Sequence, residues 1–253
     1  MITLEELNEI KERRKTNLYY EEKEYLQYIF LNAISKYSDN FVFKGGTCLR
    51  IIYGLERASE DLDFSTNLKP NEVKEKVNKI LNDFSFLNIS YEIYSTKEYK
   101  GNLRIEVRFK GPLFNGRQSS TNTLKIDFNK QKVSNKTIKV VSKLFSDVPL
   151  FTISALEEGE ILIEKIRALI NRSEPRDLYD IWILFNKGLK IDKKLLNVKL
   201  KEESSKLSAL KYPSKQEYEI SLKNLVNNLP DYEDVKKYVE IEMKKIKEKK
   251  ELR

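Results

Sequence analysis

The amino-acid sequence predicts an α+β fold, with a mixed β-sheet flanked by helices in the N-terminal half and helices alone in the C-terminal half. Period-two alternation of apolar and polar residues indicates β-strands between residues 88 and 153. From about residue 156 onward, apolar residues recur at helical spacing instead. We therefore expect two domains, at residues 1–153 and 154–253, and a length of 253 residues suffices for both.

Two helices are expected at the start of the chain, over residues 3–15 and 20–37. The second has a broad stripe of apolar side chains at helical spacing, which favours a helix packed on a core over a partner-binding surface. Residues 41–43, Phe-Val-Phe, indicate a short buried strand that leads into Lys44 and two glycines. A short apolar helix is expected next, through Tyr53.

The remaining elements follow from the same two periodicities. Strands are expected at residues 61–64, 88–95, 102–110, 122–130, 137–141 and 148–153. Helices are expected at 70–84, around the apolar stripes at 162–170 and 178–185, at 189–196 and 216–228, and in the charged tail from 231. Pro70 suits the first turn of its helix, where its missing N–H costs no hydrogen bond.

Composition restricts the chemistry that the chain can perform. The sequence contains one cysteine, Cys48, and no histidine. This excludes an intrachain disulfide, metal sites built on cysteine or histidine, and Ser-His or Cys-His catalysis. What remains is chemistry by carboxylates, lysine, arginine, hydroxyl groups and a metal ion bound by oxygen, and oxygen ligands suit Mg²⁺ or Mn²⁺.

Charge and hydropathy indicate the surroundings of the protein. The formal net charge of +8 favours polyanionic partners, nucleic acid or nucleotide phosphates, although a lysine-rich surface from an AT-rich genome explains it equally well. No stretch approaches the roughly 18 continuous apolar residues of a membrane span. The charged N-terminus does not have the pattern of a signal peptide. We expect a cytoplasmic protein without a membrane partner.

A glycine-rich turn, Lys44-Gly45-Gly46-Thr47, lies between the first strand and the short helix. Glycines let backbone N–H groups approach phosphate oxygens closely, and a helix N-terminus adds partial positive charge. The Thr47 hydroxyl can bind a phosphate oxygen or cap the helix. Taken alone, such a triplet is more often an ordinary turn.

Two carboxylates, Asp61 and Asp63, fall on one face of the strand that follows, because side chains alternate along a strand. Such a pair can bind one or two divalent cations, which in phosphoryl transfer activate the attacking hydroxyl and neutralise the triphosphate. A third carboxylate on a neighbouring strand would strengthen this hypothesis. Asp127 is the candidate, since it lies on the polar face of the strand at 122–130; a solvated edge residue is the alternative.

A block of basic and acidic residues spans positions 164–180. Lys165 and Arg172 lie on one helical face, and Asp177 and Asp180 are one turn apart on the next helix. Lysine and arginine beside a carboxylate–metal site would bind triphosphate oxygens, and either aspartate can hold the lysine or a base. From the spacing alone, a surface ion-pair network at a helix corner is the favoured alternative.

Three blocks of the chain occur in a specific order: KGGTCLR…ERASEDLDF, LKIDF and EKIRALINRSEPRDLYDIW. Together they resemble the AbiEii/AbiGii toxin family, a branch of the nucleotidyltransferase superfamily with a DNA-polymerase-β-like catalytic fold. The superfamily pattern is Gly-(Gly)-Ser/Thr, a spacer, Asp-x-Asp, and a third Asp on a later strand. The resemblance covers roughly residues 25–190, and Thr47 keeps the hydroxyl of the commoner serine.

The resemblance implies a metal-dependent nucleotidyltransferase that moves NMP from an NTP to an acceptor. It also implies the toxin of a toxin–antitoxin pair, with a cognate antitoxin as partner. Some members of the family add nucleotides to tRNA acceptor ends and stop translation, so tRNA or another RNA is the expected acceptor. The basic C-terminal half would then hold the RNA, with an affinity that depends strongly on salt.

Individual residues acquire roles from the same resemblance. Asp61, Asp63 and Asp127 would bind Mg²⁺ or Mn²⁺, and Asp127 would also take the proton of the acceptor hydroxyl. Gly46 and Thr47 would cradle the β- and γ-phosphates of the NTP.

Lys165 would neutralise those phosphates, and Asp180 matches the later aspartate of the family better by spacing than Asp177 does. Further candidate nucleotide-binding residues are Lys44, Gly45, Arg57, Ser59, Arg172 and Asp177.

Two other functions stay open. The chain could be a nucleotide- or RNA-binding protein that keeps the fold without turnover, or a nucleotidyltransferase with a small-molecule acceptor. The presence of all three carboxylates argues mildly against the first. Arrest of growth on expression would separate a toxin from both.

Overall fold

The computed structural model describes residues 1–131, 133 and 135–248. Within these ranges, no helix is both long enough and apolar enough to cross a membrane.

Two compact units make up the structure. One consists of Met1–Gly54 and Ala58–Leu156, and the other of Leu55–Arg57 together with the chain from Glu157 onward. The boundary between the units follows Leu156, which is the last residue of a strand. The boundary expected from the sequence follows residue 153. The functions assigned to the two predicted domains stay predictions.

The first unit combines helices with a β-sheet. Its α-helices are α1 (Leu4–Arg14), α2 (Leu18–Ser35), α3 (Gly45–Ile51) and α4 (Pro70–Phe86). Its strands are β1 (Phe41–Lys44), β2 (Asp61–Thr66), β3 (Ser90–Tyr99), β4 (Asn102–Lys110), β5 (Asn122–Lys130), β6 (Lys136–Val141) and β7 (Phe151–Leu156). Every strand expected from the sequence is present among the described residues, with bounds that differ by a few positions. The largest difference is β3, which continues to Tyr99 because Lys97–Tyr99 pair with β4.

The strands form a mixed sheet in the order β3-β4-β5-β2-β1-β7-β6. β2 pairs with β5 in parallel, and so does β1 with β7, while the other neighbours are antiparallel. The two parallel pairings bring together strands that are far apart in sequence. This topology places the predicted Asp-x-Asp strand beside the strand of the third predicted carboxylate.

Apolar side chains on one face of the central strands set the register of the sheet. Leu62, Phe64, Ile126 and Phe128 are all buried. The rings of Phe64 and Phe128 stack with their centroids 5.5 Å apart, from positions directly opposite in register. A slip of one residue would turn these side chains to the opposite face, so burial fixes the register of β2 against β5.

The second unit is helical, as the periodicity from residue 156 predicts. Its α-helices are α5 (Glu158–Arg172), α6 (Pro175–Asn186), α7 (Lys193–Glu202), α8 (Lys215–Leu222) and α9 (Tyr232–Glu248). Ser173, in the left-handed conformation with φ 52°, ends α5, and Pro175 begins α6 two residues later. This tight connection brings the predicted lysine helix and the predicted aspartate helix side by side.

Two helices have bounds that differ from the prediction, and the first of them also continues to Glu202. The helix expected at 189–196 instead starts at Lys193, because the Asp192 side chain accepts hydrogen bonds from the backbone N–H groups of Lys194 and Leu195. The helix expected at 216–228 ends at Leu222, ahead of an asparagine-rich stretch and Pro230, residues that favour turns.

Candidate functional site

Three carboxylates lie on one face of the sheet in the first unit. Asp63 on β2 is directly opposite Asp127 on β5, and Asp61 is opposite Lys125. Residues in register on neighbouring strands point to the same face, and so do residues two apart on one strand. Asp61, Asp63 and Asp127 therefore share a face, and all three are half-buried. We call this group the carboxylate face.

The glycine-rich turn packs directly against this group. Lys44 is in register with Asp63, and Gly45 follows it with φ +79°, a left-handed conformation that favours glycine. A Cβ atom on Gly45 would overlap the carboxylate of Asp63. The backbone thus approaches this carboxylate as closely as it can, and glycine is needed for both reasons.

Hydroxyl groups behind the turn hold it to the start of β2. The Thr47 hydroxyl donates to the backbone carbonyl of Asp61 and lies 2.8 Å from Ser59 Oγ. Thr47 is buried within α3 and does not cap the helix, whose first flanking residue is Lys44. The Lys44 side chain is also buried, and its Nζ donates to Gln131 Oε1 over 2.7 Å.

Arg104 is the ion-pair partner of Asp127. It lies on β4 directly opposite Asp127, and its Nε and Nη2 donate to the two carboxylate oxygens over 2.8 and 2.9 Å. These hydrogen bonds raise the pKa of the Arg104 guanidinium despite its partial desolvation. The sequence puts Arg104 on the polar face of its strand, but the pairing that brings it to Asp127 is not visible from that pattern.

The donor set of the carboxylate face suits a divalent cation. Carboxylate oxygens are the ligands that Mg²⁺ and Mn²⁺ prefer, and the sequence offers no histidine to compete. Among the described residues, however, no three Asp, Glu or Cys side chains are gathered closely enough to hold a metal ion. Asp127, paired at both oxygens with Arg104, would have to turn toward Asp61 and Asp63 to become a third ligand.

A second cluster of charged residues lies in the helical unit, and we call it the buried ion cluster. Lys165 Nζ on α5 lies 2.8 Å from Asp177 Oδ1 and 2.8 Å from Asp180 Oδ2 on α6. Arg57 donates to both oxygens of Asp180, over 2.6 and 2.7 Å. Arg172 donates from Nε to Asp177 Oδ2 over 2.8 Å.

The buried ion cluster is almost closed to solvent. Asp177 and Asp180 are 0% exposed and Arg57 is 2% exposed. Burial alone would raise the pKa of both carboxyl groups. At Asp177 the charges of Lys165 and Arg172 outweigh burial and lower the pKa. At Asp180 the charges of Arg57 and Lys165 do the same. Burial would likewise lower the pKa of Lys165, and the two aspartates outweigh it and raise that pKa. All of these groups are therefore charged at neutral pH.

The structure thus divides the predicted site residues into two groups. Lys44, Gly45, Gly46, Thr47 and Ser59 surround Asp61 and Asp63 in the first unit, with Asp127 on the adjacent strand. Arg57, Lys165, Arg172, Asp177 and Asp180 form the buried ion cluster in the second. The sequence leaves open whether Asp177 or Asp180 holds Lys165. In the structure both aspartates pair with it. The sequence did not single out Arg104 or Gln131.

Comparison with known families and structures gives a consistent result. The family model for "Nucleotidyl transferase AbiEii toxin, Type IV TA system" matches residues 29–247. The match extends well past residue 190, where the resemblance seen in the sequence motifs becomes weak. No curated protein sequence matches the chain.

Two solved structures share the fold. MenT4, a nucleotidyltransferase toxin from Mycobacterium tuberculosis, superposes with a TM-score of 0.74 at 16% identity, over 95% of this chain and 89% of that one. JHP933 from Helicobacter pylori superposes with a TM-score of 0.58 at 20% identity, over 98% of this chain and 94% of that one. At these identities the likeness concerns the fold.

Proposed function

Since the chain belongs to the nucleotidyl transferase AbiEii toxin family of type IV toxin–antitoxin systems, we propose that it transfers NMP from an NTP to an RNA acceptor, with Mg²⁺ or Mn²⁺ as the metal. The observation that carries the proposal is the register of β2 and β5, in which Asp63 lies opposite Asp127 on the face that also bears Asp61. The family membership supplies the reaction class, and the proposal adds the acceptor, the metal and the residue roles.

Asp61 and Asp63 are the proposed metal ligands, with Asp127 as the third. When bound, a divalent cation at this place neutralises triphosphate charge and lowers the pKa of the acceptor hydroxyl. Asp127 is the proposed acceptor of the proton of that hydroxyl, a role that a carboxylate can perform.

The glycine-rich turn is the proposed site of the NTP phosphates. Gly45 packs against Asp63, and the backbone N–H groups of Gly45 and Gly46 are the proposed donors to phosphate oxygens. Thr47 and Ser59, whose hydroxyls contact each other and the Asp61 backbone, hold the turn in position. Lys44 adds positive charge one residue before the turn.

In the helical unit, Lys165 and Arg172 are the residues that we propose as phosphate-binding cations, as the family pattern implies for Lys165. Lys165 is kept protonated by Asp177 and Asp180, so it offers a fixed positive charge. Arg172, whose side chain is 58% exposed, is the member best able to reach a ligand. Arg57, which is buried against Asp180, positions that aspartate and through it Lys165.

The proposed acceptor is tRNA or another RNA, and the proposed place of action is the cytoplasm, where NTP and tRNA are both available. The net charge of +8 supports a polyanionic acceptor. A cognate antitoxin is expected from the family membership.

The test is label transfer. The wild-type protein is incubated with each α-³²P-labelled NTP, Mg²⁺ and total tRNA, beside Asp63→Asn and the control Asp83→Asn. Asp83 is a matched control because it pairs with Lys36 on the surface of the same unit. We expect label in RNA with the wild type and the control, and a loss of at least about 100-fold with Asp63→Asn.

Transfer that persists in Asp63→Asn would refute the catalytic assignment. Label that enters a small-molecule acceptor but never RNA would replace the acceptor class. NTP binding without pyrophosphate release, with every acceptor supplied, would instead favour a binding protein without turnover.

A further inference from the structure

Arg104 holds Asp127 through a two-point ion pair between neighbouring strands. Both carboxylate oxygens of Asp127 accept an N–H of the guanidinium, over 2.8 and 2.9 Å. Arg104 and Asp127 are directly opposite each other in the antiparallel pairing of β4 and β5. Planar guanidinium and carboxylate groups match well in this geometry, so the pair fixes the orientation of the carboxylate.

This pairing engages both oxygens of the Asp127 carboxylate on the side of β4. Asp63 is opposite Asp127 on the other side of β5, so Asp127 has Arg104 on one flank and Asp63 on the other. Among the described residues, Asp127, Asp61 and Asp63 do not form a group able to hold a metal.

The ion pair is placed where it can be exchanged. The Arg104 side chain is 48% exposed and that of Asp127 is 16% exposed. The half-exposed guanidinium is solvated when it leaves the carboxylate, so this pair is easier to exchange than an ion pair that is buried on both sides. By contrast, the apolar neighbours of Arg104 on β4, Leu103 and Ile105, are buried and anchor the strand. The guanidinium can therefore leave without disturbing the core.

We propose that Arg104 is a positioning residue that competes for the Asp127 carboxylate with a divalent cation bound at Asp61 and Asp63. The inference rests on the proposed function, since it names the group that regulates the third ligand of that site. Arg104 thereby makes the complete ligand set dependent on the metal, and it leaves Asp127 neutralised in its absence.

The experiment is a titration of the full chain with Mn²⁺, followed by calorimetry and by the electron paramagnetic resonance of free Mn²⁺. Arg104→Gln should tighten Mn²⁺ binding by roughly tenfold, because Asp127 no longer has to give up two charge-assisted hydrogen bonds to become a ligand. Arg108→Gln is the matched control. Arg108 lies on the same strand, and its Nη1 is 3.6 Å from Glu92 Oε2; its removal should change the affinity by less than about twofold because of distance and screening.

The effect of Arg104→Gln on Mn²⁺ affinity must also depend on the Asp127 carboxylate. In an Asp127→Asn background, Arg104→Gln should tighten Mn²⁺ binding by a clearly smaller factor, since only the general repulsion between guanidinium and cation is removed there. A gain of the same size in that background, or Mn²⁺ binding that is unchanged or weaker in Arg104→Gln alone, would overturn the inference.

Two further outcomes are distinguishable. If the wild type binds no Mn²⁺, with or without NTP, the proposed function itself fails, and the inference with it. If Arg104→Gln does not fold, as judged by circular dichroism, Arg104→Lys replaces it. Lysine makes a weaker single-point contact with Asp127, so this variant should tighten Mn²⁺ binding by a smaller factor, and an unchanged affinity would again overturn the inference.

Discussion

The substitution Gly45→Ala should damage metal binding far more than it damages folding. Two costs follow from the structure. Gly45 has φ +79°, and an alanine forced into this left-handed region loses about 1–2 kcal/mol. The added Cβ would also overlap the Asp63 carboxylate. That carboxylate is the end of a flexible side chain, so it can rotate away, but it then no longer points where a metal ligand is needed.

Gly54→Ala provides a matched control in the same unit. Gly54 has φ +71°, so alanine suffers the same backbone strain there. An added Cβ on Gly54 would meet no heavy atom of the described residues within 4 Å. The difference between the two variants therefore isolates the contact with Asp63.

Thermal melting and Mn²⁺ titration together measure both effects. Each variant should lose about 1–2 kcal/mol, a shift in Tm of roughly 2–8 °C for a chain of this size. Mn²⁺ affinity should fall roughly 10- to 100-fold in Gly45→Ala, the usual cost of disturbing a group that orients a metal ligand. Gly54→Ala should keep wild-type affinity. Wild-type affinity in Gly45→Ala, or an equal loss in both variants, would refute the reasoning.

Three further predictions concern the buried ion cluster and the core. Lys165→Met should lower the free energy of unfolding by about 3 kcal/mol in urea titrations, because Asp177 and Asp180 stay buried with one cation fewer; a loss below about 1 kcal/mol would contradict this. Because the folded-state pKa values of both aspartates lie below the ordinary value of about 3.9, their stabilising contribution is present above pH 4 and is lost as the pH falls through those lowered values. The stability difference between wild type and Lys165→Met should therefore shrink in acid, and a difference that grows toward pH 3 would show the opposite linkage. Phe128→Ala should cost about 3–5 kcal/mol, since the ring is 1% exposed and stacks on Phe64; circular dichroism melting checks this, and Phe86→Ala, at an 85% exposed position, should cost less than about 0.5 kcal/mol.

Local patterns were sufficient to predict the faces of the strands but not their partners. The alternation in residues 122–130 places Asp127 on the polar face, and the structure has its apolar neighbours Ile126 and Phe128 buried. The parallel pairing of β2 with β5, which sets Asp63 beside Asp127, joins residues 64 positions apart in the chain. Such pairing is decided by packing across the whole sheet, and no local period encodes it. For the same reason, Arg104 was visible only as one polar residue among several.

The ion-pair partner of Arg57 is likewise not predictable from neighbouring residues in the sequence. Arg57 lies between α3 and β2, close in sequence to the glycine-rich turn, and the sequence predicts both as nucleotide-binding. In the structure Leu55–Arg57 belong to the helical unit, and Arg57 pairs with Asp180, which is 123 residues away. The start of α7 was also not predictable from the apolar stripe, because it is set by the capping side chain of Asp192.

The two charged groups differ in how easily their ion pairs can be exchanged, and this difference suits the roles proposed for them. The Arg104 side chain is 48% exposed and regains water when it leaves Asp127, so separating this pair costs less than separating a pair that is buried on both sides. Removing one partner from the pairs around Asp177 and Asp180 would leave an uncompensated buried charge at a cost of about 3–5 kcal/mol. A ligand can therefore replace Arg104 at its carboxylate, whereas it can only add to Lys165, whose carboxylate partners stay in place.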